Sequence, residues 1–309
     1  MIRFFFIFIL FVSHQFVLAH DGDTDYKLKA KKIAKDTYVF IGYKEDFDRI
    51  NGGNIVNTAF VVTNEGVVLI DTGPSFHYAL QVKEIIKEIT NKPVIKIFLT
   101  HSHPDHFLGN QVYPDTEIYA LAGTIMELTN FAESFLDNVY RMSDYWMANT
   151  EVSIENIQAL ESEGEKIGEH EFQFLHLSGH TSADLAIFDK TTGVLFSGDL
   201  VFHDRALTTP HAKPDEWLRS LDVLANVPFK KIIPGHGEVA EDNYPIEQTK
   251  SYLVWLDAMI KQAVIDGLTM NEAMQAPIPE KFQSLSLVKE ELTRSVIHRY
   301  PIYEKQIFQ

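Results

Sequence analysis

The 309-residue chain contains no cysteine. Disulfide staples are excluded, and so is thiolate metal ligation. Any transition-metal site must be built from His, Asp and Glu. Positive charge is also scarce: 27 Lys and Arg stand against 43 Asp and Glu, a formal net charge of −16. Phosphate backbones and anionic membranes are gripped by Lys and Arg, so this balance argues against both as partners. The rest of the composition, 45% hydrophobic and 23% charged, is that of an ordinary soluble globular protein. The chain is long enough to bury a large core without staples.

The apolar run at the N-terminus, residues 4–12, is nine residues long. It follows Arg3 and precedes Val17-Leu18-Ala19, where small residues suit cleavage after Ala19. This is the layout of a secretory signal peptide over residues 1–19, and the run is too short to span a bilayer. The pattern predicts export, to a periplasm, with no membrane span after the signal is removed. Residues 20–35 are polar and read as a flexible lead-in.

Beyond the lead-in, short apolar runs predict strands at DTYVFIG, NTAFVVT and VVLIDTG. The last two are separated by Asn64-Glu65-Gly66 and form a hairpin. Residues 75–90 carry helical apolar spacing and stop at Asn91-Lys92-Pro93. VIKIFLT and EIYA are further strands. Residues 124–149 read as helical and aromatic-rich, with Phe131, Phe135, Val139 and Met142 on one face. That face is either core packing or an apolar wall over a substrate pocket. In the second half, EFQFLHLS, DLAIFD and GVLFSGD are strands, residues 215–226 a helix, and KKIIPGHG another strand. From Ile246 onward the pattern is mostly helical, broken at Pro277-Ile278-Pro279. Two strand-rich halves, each with helices, suggest sheets packed as a sandwich and flanked by helices. A core domain over 36–245 and a C-terminal helical extension over 246–309, packed on it, are expected.

The chemistry-bearing residues cluster just beyond strand ends. His101, His103, Asp105 and His106 follow VIKIFLT, His180 follows EFQFLHLSG, Asp199 follows GVLFSG, and His236 follows KKIIPG. Strand ends are where a rigid scaffold presents functional side chains, and the glycines allow sharp turns there. Seven ligands of this type suit two metals. Three histidines plus water would complete one site; an Asp, two histidines and a shared oxygen would complete the other. A carboxylate such as Asp199 can bridge two cations. Such donors favour zinc, with iron or manganese also compatible.

HSHPDH resembles the His-x-His-x-Asp-His signature of the metallo-β-lactamase superfamily. LIDTG before it, and SGHT, FSGD and PGHG after it, agree in order over about residues 36–238. The resemblance implies a four-layer αβ/βα sandwich of the α/β class with two zinc ions at one edge. It implies that His101, His103 and His180 bind the first metal and Asp105, His106 and His236 the second, with Asp199 bridging. Asp71 would brace the metal loop without ligating. The ligand set is similar to that of glyoxalase II-like hydrolases. The stretches GGNIVNTAFVVTNEGVVLIDTG and SGDLVFHDRALTTPHA resemble exported zinc metallohydrolases associated with quinoprotein dehydrogenase systems.

The implied reaction is hydrolysis of a small-molecule ester, thioester, lactone or lactam by a metal-bridging hydroxide, with Asp105 orienting the nucleophile. Alternatives are a β-lactamase-like enzyme, a mononuclear-iron persulfide dioxygenase, and a non-catalytic accessory protein of a dehydrogenase system. His203 and His211, in the loop after SGD, are candidates for the substrate pocket. His176 reads as a hydrogen-bonded strand residue. His77, His170 and His298 read as surface or helix residues.

Overall fold

The computed structural model describes residues 24–308. The signal peptide expected at residues 1–19 lies outside them. Among the described residues, seven strands form one sheet in chain order: β1 (Lys31–Ala34), β2 (Thr37–Phe40), β3 (Thr58–Val62), β4 (Val67–Ile70), β5 (Val94–Phe98), β6 (Glu117–Ala120) and β7 (Ile157–Ala159). Five more form a second sheet, again with chain neighbours side by side: β8 (Gly164–Ile167), β9 (His170–Leu177), β10 (Asp184–Asp189), β11 (Val194–Phe202) and β12 (Lys231–His236). The helices are α1 (Phe76–Ile89), α2 (Pro104–Phe107), α3 (Ala122–Ser143), α4 (Pro214–Ala225), α5 (Tyr244–Ile265), α6 (Met270–Ala273) and α7 (Val288–Phe308).

Strand alternation sorts the side chains into layers. Ala59 and Val61 of β3 and Val68 and Ile70 of β4 face the second sheet, where they join Phe172, Phe174, Leu185, Ile187 and Phe196 in one apolar layer. Phe60 and Leu69 point the other way and pack with Tyr78, Val82 and Ile86 of α1 and Leu128 of α3. On the far side of the second sheet, Leu195, Leu200 and Ile232 pack with α4, α5 and α7. This is the four-layer αβ/βα sandwich. The predicted hairpin is present, with Ala59 opposite Ile70 and Val62 opposite Val67. α1 starts as its sequence requires: Ser75 caps it by accepting from the Tyr78 N–H at 3.1 Å.

Two expectations change. Where it is described, the lead-in is folded: β1 pairs antiparallel with β2, and Tyr26 is buried. The Tyr26 hydroxyl donates to the Gly52 carbonyl at 2.9 Å and meets Ser75 Oγ at 2.7 Å. A lone aromatic in a polar stretch found a pocket that local pattern does not reveal. β7 and β8, three and four residues long, carry too little alternation to be read in advance. The C-terminal helices share an apolar cluster with β11: Leu253, Leu256, Leu292, Val296 and Tyr300 pack with Leu200 and Phe202.

Trp217 on α4 joins this cluster to the site. It is fully buried, its Nε1 donates to the Leu200 carbonyl at 2.8 Å, and its ring lies edge-on to His180 at 5.1 Å. Trp217→Ala should lower unfolding free energy by about 3–5 kcal/mol, the cost of a large core truncation, as measured by denaturant unfolding.

Candidate metal centre

The segment after β5 carries four of the predicted site residues on a very short piece of chain. His101 and His103 precede α2, whose first residue is Pro104; Asp105 and His106 lie on that single turn. Proline suits the first helical position because its missing N–H would have no helical partner there. His180 sits between β9 and β10. There the buried Asp184 carboxylate accepts from the His180 N–H at 3.0 Å, the Thr181 N–H at 3.1 Å and the Thr181 hydroxyl at 2.7 Å. Burial pushes the Asp184 carboxyl above its usual range, against these hydrogen bonds. Asp199 lies inside β11, next to a register shift at Gly198, and His236 ends β12.

These elements bring all seven residues together. One ligand atom each from His101, His103, His180 and Asp199 lies within 4.8 Å of the others, and Asp105, His106 and His236 form a second such group. Asp199 joins the two. Its Oδ2 is 3.3 Å from His180 Nε2, 3.9 Å from His101 Nε2 and 3.1 Å from His236 Nε2; its Oδ1 is 3.2 Å from His106 Nε2. His236 Nε2 also lies 3.4 Å from Asp105 Oδ2.

Several outward ring nitrogens are engaged in ways that aim the inward ones. His106 Nδ1 donates to Asp71 Oδ2 at 2.7 Å, and His236 Nδ1 donates to the Ile55 carbonyl at 2.7 Å. Thr100 donates to Asp71 from its N–H and hydroxyl, both at 2.8 Å, and its Oγ1 lies 3.1 Å from His101 Nδ1. Asp71 thus holds Thr100 and His106 and lies outside both groups. His103 turns Nδ1 toward His180 Nε2 at 2.9 Å and Nε2 toward His211 Nδ1 at 2.9 Å.

The donor set fits metal. His101 Nε2, His106 Nε2 and Asp199 Oδ1 are buried and have no hydrogen-bond partner among the described residues. Unpaired buried polar atoms are costly, and a cation would satisfy these. Burial pushes the His101 and His103 imidazoles well below their usual range, aided by neighbouring histidines. They are therefore neutral near pH 7, the form that ligates. Burial also pushes His106 down, but the carboxylates of Asp71, Asp105 and Asp199 outweigh it and hold the imidazole well above its usual range. Burial raises Asp199, yet His236, His106 and His180 hold it well below the usual carboxylate range.

A cavity of about 350 Å³ opens over these residues. His103, Asp105, Asp199 and His236 reach it, and Phe135, Val139 and Met142 of α3 form one wall. The aromatic stripe is thus the pocket wall for these three, while Phe131 is half exposed. His211 lines the cavity. His203 does not: its Nδ1 donates to the Glu238 carbonyl at 2.7 Å, against the Tyr244 ring. His176 Nε2 donates to the Ser162 carbonyl at 3.0 Å, the strand role expected of it. His298 is not merely a helix residue; with Arg294 it brings α7 to the cavity, which Arg205, Asp46 and Phe47 also line. Arg294 pairs with Asp46 and, at 2.7 Å, with the buried Glu291, which also lies 3.4 Å from Arg205. Arg294 and His298 share a face by their spacing of four, but nothing local in sequence shows that this helix folds back.

The chain matches the family model of the Metallo-beta-lactamase superfamily over residues 51–236, more than half its length, and belongs to that superfamily. Among curated relatives, it is 25% identical over 207 residues to acyl-coenzyme A thioesterase MBLAC2 of Homo sapiens, covering 60% of this chain and 74% of the relative. It is 26% identical over 248 residues to metallo-beta-lactamase IND-1 of Chryseobacterium indologenes, covering 77% and 91%. A linear primary-alkylsulfatase of Pseudomonas sp. is 22% identical over 253 residues; the match covers 68% of this chain but only 48% of that protein. Among solved structures, the metallo-beta-lactamase from Pontibacter korlensis superposes with a TM-score of 0.59 at 21% identity, over 74% of this chain and 99% of that one. These relatives are hydrolases, and they place the chain among the metal-dependent hydrolases of its superfamily.

Asp71→Asn removes the charge that fixes His106 while keeping the side chain's shape. It should weaken metal retention about 10–100-fold, as second-layer ligand partners do, read by competition with a chelator.

Proposed function

We propose that this chain is an exported dinuclear hydrolase, with zinc as its metal, that cleaves an ester, thioester, lactone or lactam-type carbonyl. The observation that carries this reading is the meeting of two His/Asp groups across Asp199 on the floor of a cavity. His101, His103 and His180 would hold one ion, Asp105, His106 and His236 the other, and Asp199 both. Iron or manganese suits the same donors. When bound, such ions lower the pKa of a water toward neutrality and polarise the bond under attack.

The chain's own residues supply the rest. Asp105 faces the cavity beside His236, placed to orient the attacking water and take its proton. His211 holds His103 in its working orientation. The wall of Phe135, Val139 and Met142 suits an apolar acyl portion. Arg294 and His298, which also line the cavity, suit a polar or charged end of the same small molecule. The named thioesterase and β-lactamase relatives support carbonyl hydrolysis as the class. Export rests on the sequence pattern of residues 1–19, and the link to a quinoprotein dehydrogenase system on sequence resemblance alone.

The test is to purify the mature chain, count its metals and assay a thioester, an aryl ester, a lactone and a lactam. At least two zinc ions and hydrolysis of at least one carbonyl substrate are expected. One iron with thiol-dependent oxygen uptake would favour the persulfide dioxygenase reading instead. Asp199→Ala should lose at least one metal and measurable turnover; survival of both would sink the bridging role. Treatment with a strong chelator should abolish turnover and lower the thermal midpoint, because ligand binding to the native state stabilises it.

A further inference from the structure

Three turns meet at the end of the sandwich remote from the cavity. Asp36 stands in the β1–β2 turn, and Glu169 and His170 lie where β8 turns into β9. The β3–β4 turn is tied to both: the Asn64 N–H donates to Glu169 Oε2 at 2.7 Å, and the Val62 N–H donates to the Asp36 carbonyl at 2.8 Å. The eight-residue strand β9 separates this end from His180, which follows its far terminus. That is roughly 25 Å at about 3.3 Å per residue.

One ligand-capable atom from each of Asp36, Glu169 and His170 lies within 4.8 Å of the other two. A second observation points the same way. His170 is only 1% exposed, and its Nδ1 lies 2.9 Å from Oδ2 of the fully buried Asp189. Asp189 also accepts from the Thr191 N–H at 3.0 Å and the Thr192 hydroxyl at 2.5 Å, the partners of a carboxylate anion. The Asp189 carboxylate thus takes up the Nδ1 side of the ring and turns Nε2 away from it. That buried Nε2 has no hydrogen-bond partner among the described residues. Carboxylate, imidazole and cation in sequence is the arrangement by which proteins orient and strengthen a metal-binding histidine.

We propose that Asp36, Glu169 and His170 form a separate, structural cation site that takes zinc. One nitrogen and two carboxylates suit a zinc coordination shell completed by water. Because Asp36 belongs to the seven-stranded sheet and Glu169 and His170 to the five-stranded one, the ion fastens the two sheets at their open end. The competing cations are two lysines. Lys35 Nζ is 3.9 Å from Asp36 Oδ2 on an exposed stem, and Lys92, which also acts on Glu169, donates to the Thr63 carbonyl at 2.6 Å.

The test uses zinc alone, titrated into the metal-stripped full chain. Wild type is compared with the double variant Asp36→Asn, Glu169→Gln and with His170→Gln. Metals are counted after gel filtration, and thermal midpoints are read with and without zinc. Each variant should bind one zinc fewer than wild type and show a smaller zinc-induced rise in midpoint, with hydrolytic turnover unchanged. The one-ion difference stands whatever the central site holds, so it is independent of the proposed hydrolytic function. Equal zinc counts and equal midpoint rises in wild type and variants would overturn the site. If His170→Gln fails to fold because Asp189 loses its partner, the double variant still decides, since it leaves that buried pair untouched.

Discussion

Asp199 is the point on which the catalytic end of the molecule depends, because a buried carboxylate must be met by positive or hydrogen-bonding partners from every side. It draws histidines from three other chain segments, and the backbone has been shaped around it. Gly198 adopts φ +50°, a conformation that glycine takes without a Cβ penalty. A Cβ on Gly235 would fall 1.9 Å from Asp199 Oδ1, so the neighbouring strand can pass only as glycine. Asn57 then closes the assembly: its amide donates to the Pro234 carbonyl at 2.8 Å and the Gly237 carbonyl at 2.7 Å, fixing the PGHG turn to the opposite sheet.

The same end of the fold depends on α7. Glu291 is buried, and burial pushes its carboxyl up, yet it holds Arg294 and Arg205. Arg294 reaches on to Asp46 in the loop after β2. One helix near the C-terminus thereby ties the cavity rim to a loop near the N-terminal strands. Its apolar face, with Leu292, Val296 and Tyr300, sits in the core that β11 shares, so the rim and the strand bearing Asp199 respond to the same packing.

The site was legible because its determinants are local. His101 to His106 stand on six consecutive positions after an apolar run, and each other candidate ligand follows an apolar run and a glycine. Strand ends in this pattern locate side chains without knowledge of the packing. The layers were legible for a similar reason, since alternation and helical spacing report which face is buried. What was not legible depends on chain segments far apart. Arg294 and His298 reach the cavity only because α7 folds back, and Tyr26 is buried only because Gly52 and Ser75 supply its partners. His170 read as a surface residue, but its burial comes from pairing with Asp189 across β9 and β10. His203 and His211 lie in one loop, and only the backbone path decides which of them faces the cavity.

In both sheets every strand lies beside its sequence neighbour. Antiparallel turns join β1 to β4 and β8 to β11, while longer parallel crossovers add β5, β6, β7 and β12. The metal donors are distributed differently: His101 to His106 belong to the first sheet's loops, and His180, Asp199 and His236 to the second's. Neither half alone assembles a complete coordination set. The seven donors therefore come together only where the two halves meet, so the site reports on the docking of the sheets as much as on either sheet alone.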